Sequence, residues 1–170
     1  MSTYQKLLVP VDGSATAMRG LDEAIRVARL SGGRIRVVHV LDQHFTPGLE
    51  FCSADVLGVL QGAGAEIVAA AKARVEASGV PVEGNLAETI SGTVADVVIE
   101  QAREWAADLI VIGTHGRRGV RRLMIGSDAE QIVRIATVPV LLVRDKPVET
   151  AHPTSAAVMA TLPVGMVALE

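Results

Sequence analysis

Gly113-Thr114-His115-Gly116 and, ten residues after the second glycine, Gly126-Ser127-Asp128-Ala129-Glu130 are the residues whose types and spacing point to chemistry. Glycines let backbone N–H groups approach an anion with no Cβ in the way. The first N–H groups of a helix are donors at the positive end of its dipole. A helix is expected to open at Ser127, because Ser127 and Glu130 make the S-x-x-E pattern of a capped start. Directly before Gly113, Asp108-Leu109-Ile110-Val111-Ile112 is short, apolar and β-branched, as a buried strand is. Strand, glycine loop and helix start together form a phosphate-binding layout. It is neither of the two common ones: no Lys-Ser/Thr pair follows a glycine as in the P-loop, and no G-x-G-x-x-G leaves the strand.

Four guanidinium groups, on Arg117, Arg118, Arg121 and Arg122, lie between Gly116 and Gly126, and guanidinium pairs with phosphate oxygens in bidentate fashion. One or two of them at most, Arg117 foremost, are expected to reach a polyphosphate, the others forming a solvated basic loop. The histidines His39, His44, His115 and His152 show no H-x3-H or H-E-x-x-H spacing, so no metal centre is expected, and His115 chiefly fills its loop. Cys52 is the single cysteine and reads as a plain thiol.

The elements that must hold these residues alternate strand and helix. Lys6 to Val11 is an apolar run ending in Asp12-Gly13-Ser14, which suits a strand buried on both faces, with Ser14 capping the helix that follows. Arg34 to Leu41 is the second strand. Asp42 to Ser53 is a loop holding both phenylalanines, Phe45 and Phe51. In the helix expected between Ala54 and Ser78, Gly58, Gly62 and Gly64 each cost about 1 kcal/mol against alanine, which moves its start toward Ala65. Val80 to Leu86 is an edge strand, Thr93 to Trp105 a helix, Ser127 to Ile135 the last helix and Val138 to Val143 the fifth strand. The alternation implies an α/β fold: one Rossmann-like domain with a five-stranded parallel sheet covered by helices on both faces. Ligands in such sheets sit outside the strand carboxyl ends where the winding reverses, so the Pro10-Val11-Asp12-Gly13 loop and the Gly113 loop should border one crevice, giving the order 3-2-1-4-5.

With 170 residues, 49% of them hydrophobic, the chain can bury one full core, and its net charge of −3 argues against a general nucleic-acid binder. No apolar run approaches the roughly 18 residues of a membrane span. The opening Met-Ser-Thr-Tyr-Gln-Lys has no apolar stretch of the signal-peptide kind, so a cytoplasmic protein is expected.

The spacing G-x2-G-x9-G-[S/T] at Gly113, Gly116, Gly126 and Ser127 resembles, without a gap, the nucleotide motif of the ATP-binding branch of the universal stress protein family. The likeness runs from Lys6 to Arg144 and includes Val9-Pro10-Val11-Asp12-Gly13-Ser14 and Val138-Pro139-Val140-Leu141-Leu142-Val143-Arg144. It implies a nucleotide-binding domain over residues 1–144, followed by a 145–170 extension for which the sequence suggests no role. It implies ATP, with Mg²⁺, as the ligand. Pro10, Val11 and Asp12 would then face the ribose hydroxyls or a phosphate-bound metal, and Val40 the adenine through its backbone. Gly113, Thr114, His115, Gly116 and Arg117, with Gly126, Ser127, Asp128 and Ala129, would surround the phosphates. Asp128 departs from the small or apolar residue commoner there: a carboxylate suits the helix dipole but repels phosphate unless Mg²⁺ lies between. The resemblance further implies a homodimer through the Val138 to Val143 edge strand. The function expected is nucleotide-dependent stress regulation whose main activity is binding. Two alternatives stay open, a nucleotide-free dimerisation module and a slow ATP hydrolase.

Overall fold

Lys6 to Pro10 can form a central strand because its residues are apolar on both faces: Leu7, Leu8 and Val9 are wholly buried. The computed structural model describes residues 4–42, 54–89, 91–114 and 125–144. Along these the elements run β1 (Lys6–Pro10), α1 (Ala15–Ser31), β2 (Arg34–Asp42), α2 (Ala54–Glu76), β3 (Val82–Thr89), α3 (Val94–Glu104), β4 (Leu109–Gly113), α4 (Ser127–Ile135) and β5 (Val140–Val143). The five strands are parallel in the order β3-β2-β1-β4-β5, the expected one. Winding starts at β1, proceeds outward through β2 to β3, then crosses back to β4, so the switch point lies between β1 and β4.

Each face of the sheet has its own core. Leu7, Val9, Ile35, Val37, Leu109 and Val111 meet Leu21, Ala24, Ile25 and Ala28 of α1 and Ala71 and Val75 of α2. On the other face Leu8, Val38, Ile110 and Ile112 meet Ala95, Val98 and Ala102 of α3 and Ala129 and Ile132 of α4. Helix α1 starts on Ser14, whose hydroxyl accepts the Ala17 N–H at 3.1 Å, and ends on Gly32 with φ of 70°. Helix α3 starts on Thr93 with a full capping box: Thr93 Oγ1 accepts the Asp96 N–H and Asp96 accepts the Thr93 N–H at 2.8 Å. Those Thr93 bonds hold the Asp96 carboxyl below its usual range.

Of the boundaries that differ from the sequence reading, three have a clear cause. Helix α2 runs unbroken from Ala54 and does not wait for Ala65. Its glycines cost together about 3 kcal/mol, but burying Val68 and Val75 returns about 3–6 kcal/mol. Gly64 is moreover useful there. A Cβ would stand 2.8 Å from Leu86 and 3.0 Å from the His39 ring, so glycine is what lets α2 lie close on β2 and β3. Strand β3 is shifted to Val82–Thr89, with the backbone of Pro81 already accepting the Ile35 N–H. Strand β5 begins at Val140, two residues late, because Pro139 has no N–H and joins the ladder only through its carbonyl, which accepts from Ile110.

The amino end of the sheet is closed by the side chain of Asp108. Its two oxygens accept the N–H groups of Gln5 at 2.7 Å and Lys6 at 3.1 Å, and its own N–H donates to the Lys6 carbonyl at 3.0 Å. Beside it the Trp105 ring carries the Arg36 guanidinium 4.9 Å and the Lys6 ammonium 5.7 Å from its centre, and Lys6 Nζ donates to the Trp105 carbonyl at 3.0 Å. Asp108→Ala strands two half-buried donors and should lower unfolding free energy by about 1–3 kcal/mol, read as a lower urea midpoint at unchanged slope.

Candidate functional site

At the carboxyl end of β1 the chain turns into α1 through a set of local bonds. The Val11 N–H donates to Val38 of β2 at 2.8 Å, and Asp12 Oδ1 accepts the Ser14 N–H at 2.9 Å. Gly13, with φ of 80°, supplies the left-handed step between them. Asp12 is half-buried, and the helix-entry role that its residue type allows is one it does perform.

The end of β4 lies against the start of α1. A Cβ on Gly113 would stand 2.6 Å from the Thr16 carbonyl oxygen, and one on Gly20 would stand 3.1 Å from the Gly113 nitrogen. Backbone therefore lies directly on backbone. The absent side chain of Gly113 serves this packing. Thr114, 1% exposed, then donates its N–H to Val143 of β5 at 2.9 Å and accepts the Gly126 N–H on its carbonyl at 2.7 Å. That last bond joins the two ends of the glycine-arginine loop and seats the start of α4 on the end of β4.

The cap of α4 differs from the expected capping box. Gly126, extended at φ −61° and ψ 150°, is the N-cap, Ser127 is the first helical residue, and the N-cap contributes no side chain. Gly126 takes the cap position because its N–H is held by Thr114 while its carbonyl accepts from Glu130 at 2.9 Å. Glu130 reaches forward to Arg134 instead of back to the cap. The first-turn N–H groups of a helix have no intrahelical partners, and a glycine N-cap supplies no side chain to them. Asp128 and Glu130 stand in that first turn, and Ala129 is buried on the α3 side.

Val40 sits on β2 opposite Ala87 of β3. Parallel strands direct alternate residues' backbone groups to alternate sides. Val38 faces β1, as its bond from Val11 shows, so Val40 faces the same way but beyond the end of β1 at Pro10. The structure thus brings together Pro10, Val11, Asp12, Val40, Gly113, Thr114, Gly126, Ser127, Asp128 and Ala129 around the switch point. His115, Gly116, Arg117 and the other loop arginines lie outside the described residues, as do Phe45, Phe51 and Cys52. Three residues that shape the site were not singled out by the sequence: Thr16, Gly20 and, as a positioning group, His39. Gly20 did carry a signal, since a glycine inside an amphipathic helix marks a close approach.

A parallel sheet in the order β3-β2-β1-β4-β5 with helices on both faces defines a doubly wound α/β protein. The chain belongs to the universal stress protein family, whose model matches residues 3–144. It is similar to universal stress protein MJ0531 of Methanocaldococcus jannaschii, 32% identical over 143 residues that cover 83% of this chain and 82% of that protein. Among solved structures, a universal stress protein family member from Burkholderia pseudomallei matches at TM-score 0.69 and 34% identity, over 84% of this chain and 98% of that one. The Archaeoglobus fulgidus universal stress protein solved with dAMP matches at TM-score 0.60 and 26% identity, over 84% of this chain and 99% of that one. A universal stress protein solved with cAMP matches at TM-score 0.60 and 25% identity, over 84% of this chain and 98% of that one. Among the described residues no helix is long and apolar enough to cross a membrane.

The Gly113 contact gives a graded expectation. Gly113→Ala meets a backbone oxygen that cannot rotate away and should cost about 1–3 kcal/mol. Gly20→Ala meets a looser contact and gains helix propensity of about 0.5–1 kcal/mol, so its urea midpoint should stay much nearer the parent's.

Proposed function

We propose that the crevice binds ATP with Mg²⁺, that the chain belongs to the ATP-binding branch of its family, and that binding is its main activity in a cytoplasmic, nucleotide-dependent regulatory role. The observation that carries this is the start of α4 on a glycine N-cap, tied to the end of β4 by the Gly126–Thr114 bond, with the Asp12 turn at the end of the adjacent strand β1. The two solved relatives that hold dAMP and cAMP support an adenine nucleotide as the ligand class. In this reading the α4 amides at Ser127 to Ala129 and the Gly113 to Gly116 loop with Arg117 receive the triphosphate. Pro10, Val11 and Asp12 face the ribose, and the outward-directed backbone of Val40 meets the adenine edge. Asp128 adds a negative charge in the first turn of α4, which suits the dipole and requires a cation beside the terminal phosphates.

Mass spectrometry of nucleotide released from denatured, freshly purified protein should show ATP. Titrations should then show Mg²⁺ tightening ATP binding to the parent, Gly116→Val abolishing most of that binding, and Asp128→Ala reducing the Mg²⁺ dependence. A folded Gly116→Val protein with parental affinity would place the phosphates elsewhere. No ATP binding at all would favour the nucleotide-free module, and rapid turnover would favour the hydrolase.

The same reading includes a homodimer. Strand β5 is an edge whose four apolar residues are only half-buried, and Val133 and Ile135 of the neighbouring α4 are 46% and 41% exposed. An open apolar edge favours pairing with a second strand, and a two-fold axis allows β5 to pair with its own copy. Light scattering on the full chain and on a chain ending at Arg144 should both give a dimer at micromolar concentration. A monomeric full chain that dimerises only when shortened would instead assign the cover to the 145–170 extension.

A further inference from the structure

The ring of His39 is 6% exposed and lies on the α1/α2 face of β2, where Gly64 leaves room for it: a Cβ there would stand 3.0 Å from the ring. Its Nδ1 is 2.7 Å from the carbonyl oxygen of Val11. A carbonyl can only accept, so Nδ1 carries the proton and donates. Val11 is therefore held on both its backbone groups by consecutive residues of β2, its N–H by Val38 and its C=O by His39. The next residue is Asp12, whose carboxylate closes the turn on Ser14. Strand β1 ends at Pro10, and the side chain of His39 meets the main chain one residue past that end.

We propose that His39 is a positioning residue for the ligand crevice. It fixes the direction in which the chain leaves β1, and through it the place of Asp12 and the amides of Gly13 and Ser14. Its effect on affinity rests on the nucleotide reading above, whereas its effect on the turn does not.

Mg-ATP titration of the full-length parent, His39→Leu and His39→Asn, with NMR hydrogen exchange at the Ser14 amide, tests this. Asparagine places an N–H donor near the position of Nδ1, and leucine fills the space without one. His39→Leu should weaken ATP binding about threefold to tenfold and speed Ser14 exchange, with Val111 in β4 unaffected, and His39→Asn should restore both. The parent's ¹⁵N spectrum should show the proton on Nδ1. A folded His39→Leu protein with parental affinity overturns the proposal, as does loosened Ser14 exchange with unchanged affinity, or His39→Asn behaving like His39→Leu. If the parent binds no ATP, the nucleotide reading fails, while faster Ser14 exchange in His39→Leu, restored in His39→Asn, still supports the positioning of the turn. Should His39→Leu not fold, the ring spectrum and His39→Asn decide: an unprotonated Nδ1 overturns the proposal.

Discussion

The contact between the Thr16 carbonyl and the bare α-carbon of Gly113 is the constraint on which the carboxyl end of the sheet depends. A side chain of any size at Gly113 would lift α1 from β4, and the turn before α1 would leave with it. Because that contact is between main-chain atoms, it is insensitive to rotamer changes and fixes how closely α1 lies on the end of β4. The bond from Gly126 to Thr114 then fixes α4 in the same frame. Two helix starts, on the opposite faces of one sheet, are thereby referred to a single strand end.

The opposite end of the sheet is built on different physics. There Asp108 accepts two backbone donors from Gln5 and Lys6, and the Trp105 ring lies against two cations. Those side chains tie the starts of β1 and β4 to one another and to Trp105. Polar side chains thus finish the amino ends of the strands, while the carboxyl ends are finished mostly by glycine, backbone and one buried imidazole. That division leaves main chain at the carboxyl ends, the side on which ligands of doubly wound sheets bind.

The strand order and the ends of β1 and β4 were legible in the sequence, because buried parallel strands are short apolar runs and these two end near Asp12-Gly13 and Gly113. What was not legible depended on distant partners. The S-x-x-E pattern at Ser127 named the right helix but the wrong cap, since the Gly126 N–H finds its acceptor in Thr114 on the far side of the loop. The glycines of α2 carried their local cost but not the tertiary reason for Gly64, which is the proximity of Leu86 and His39. His39 was weighed only as a metal ligand, by spacing to other histidines. Its partner is the main chain of Val11, and no side-chain motif records that.

The strand order also has a consequence for biosynthesis. Strand β1 is central, yet of its two partners only β2 follows closely in the chain. Its other edge waits for β4, and the Gln5–Asp108 bond spans 103 residues. At about 5–20 residues per second on the ribosome, that separation leaves the inner edge of β1 unpaired for roughly 5–20 s after it is made. Leu7, Leu8 and Val9 are apolar on both faces, so the nascent β1-α1-β2-α2-β3 half exposes a ready strand edge throughout that interval. The docking of β4 beside β1, which completes the switch point, is therefore also the step that ends the chain's period of greatest risk of mispairing.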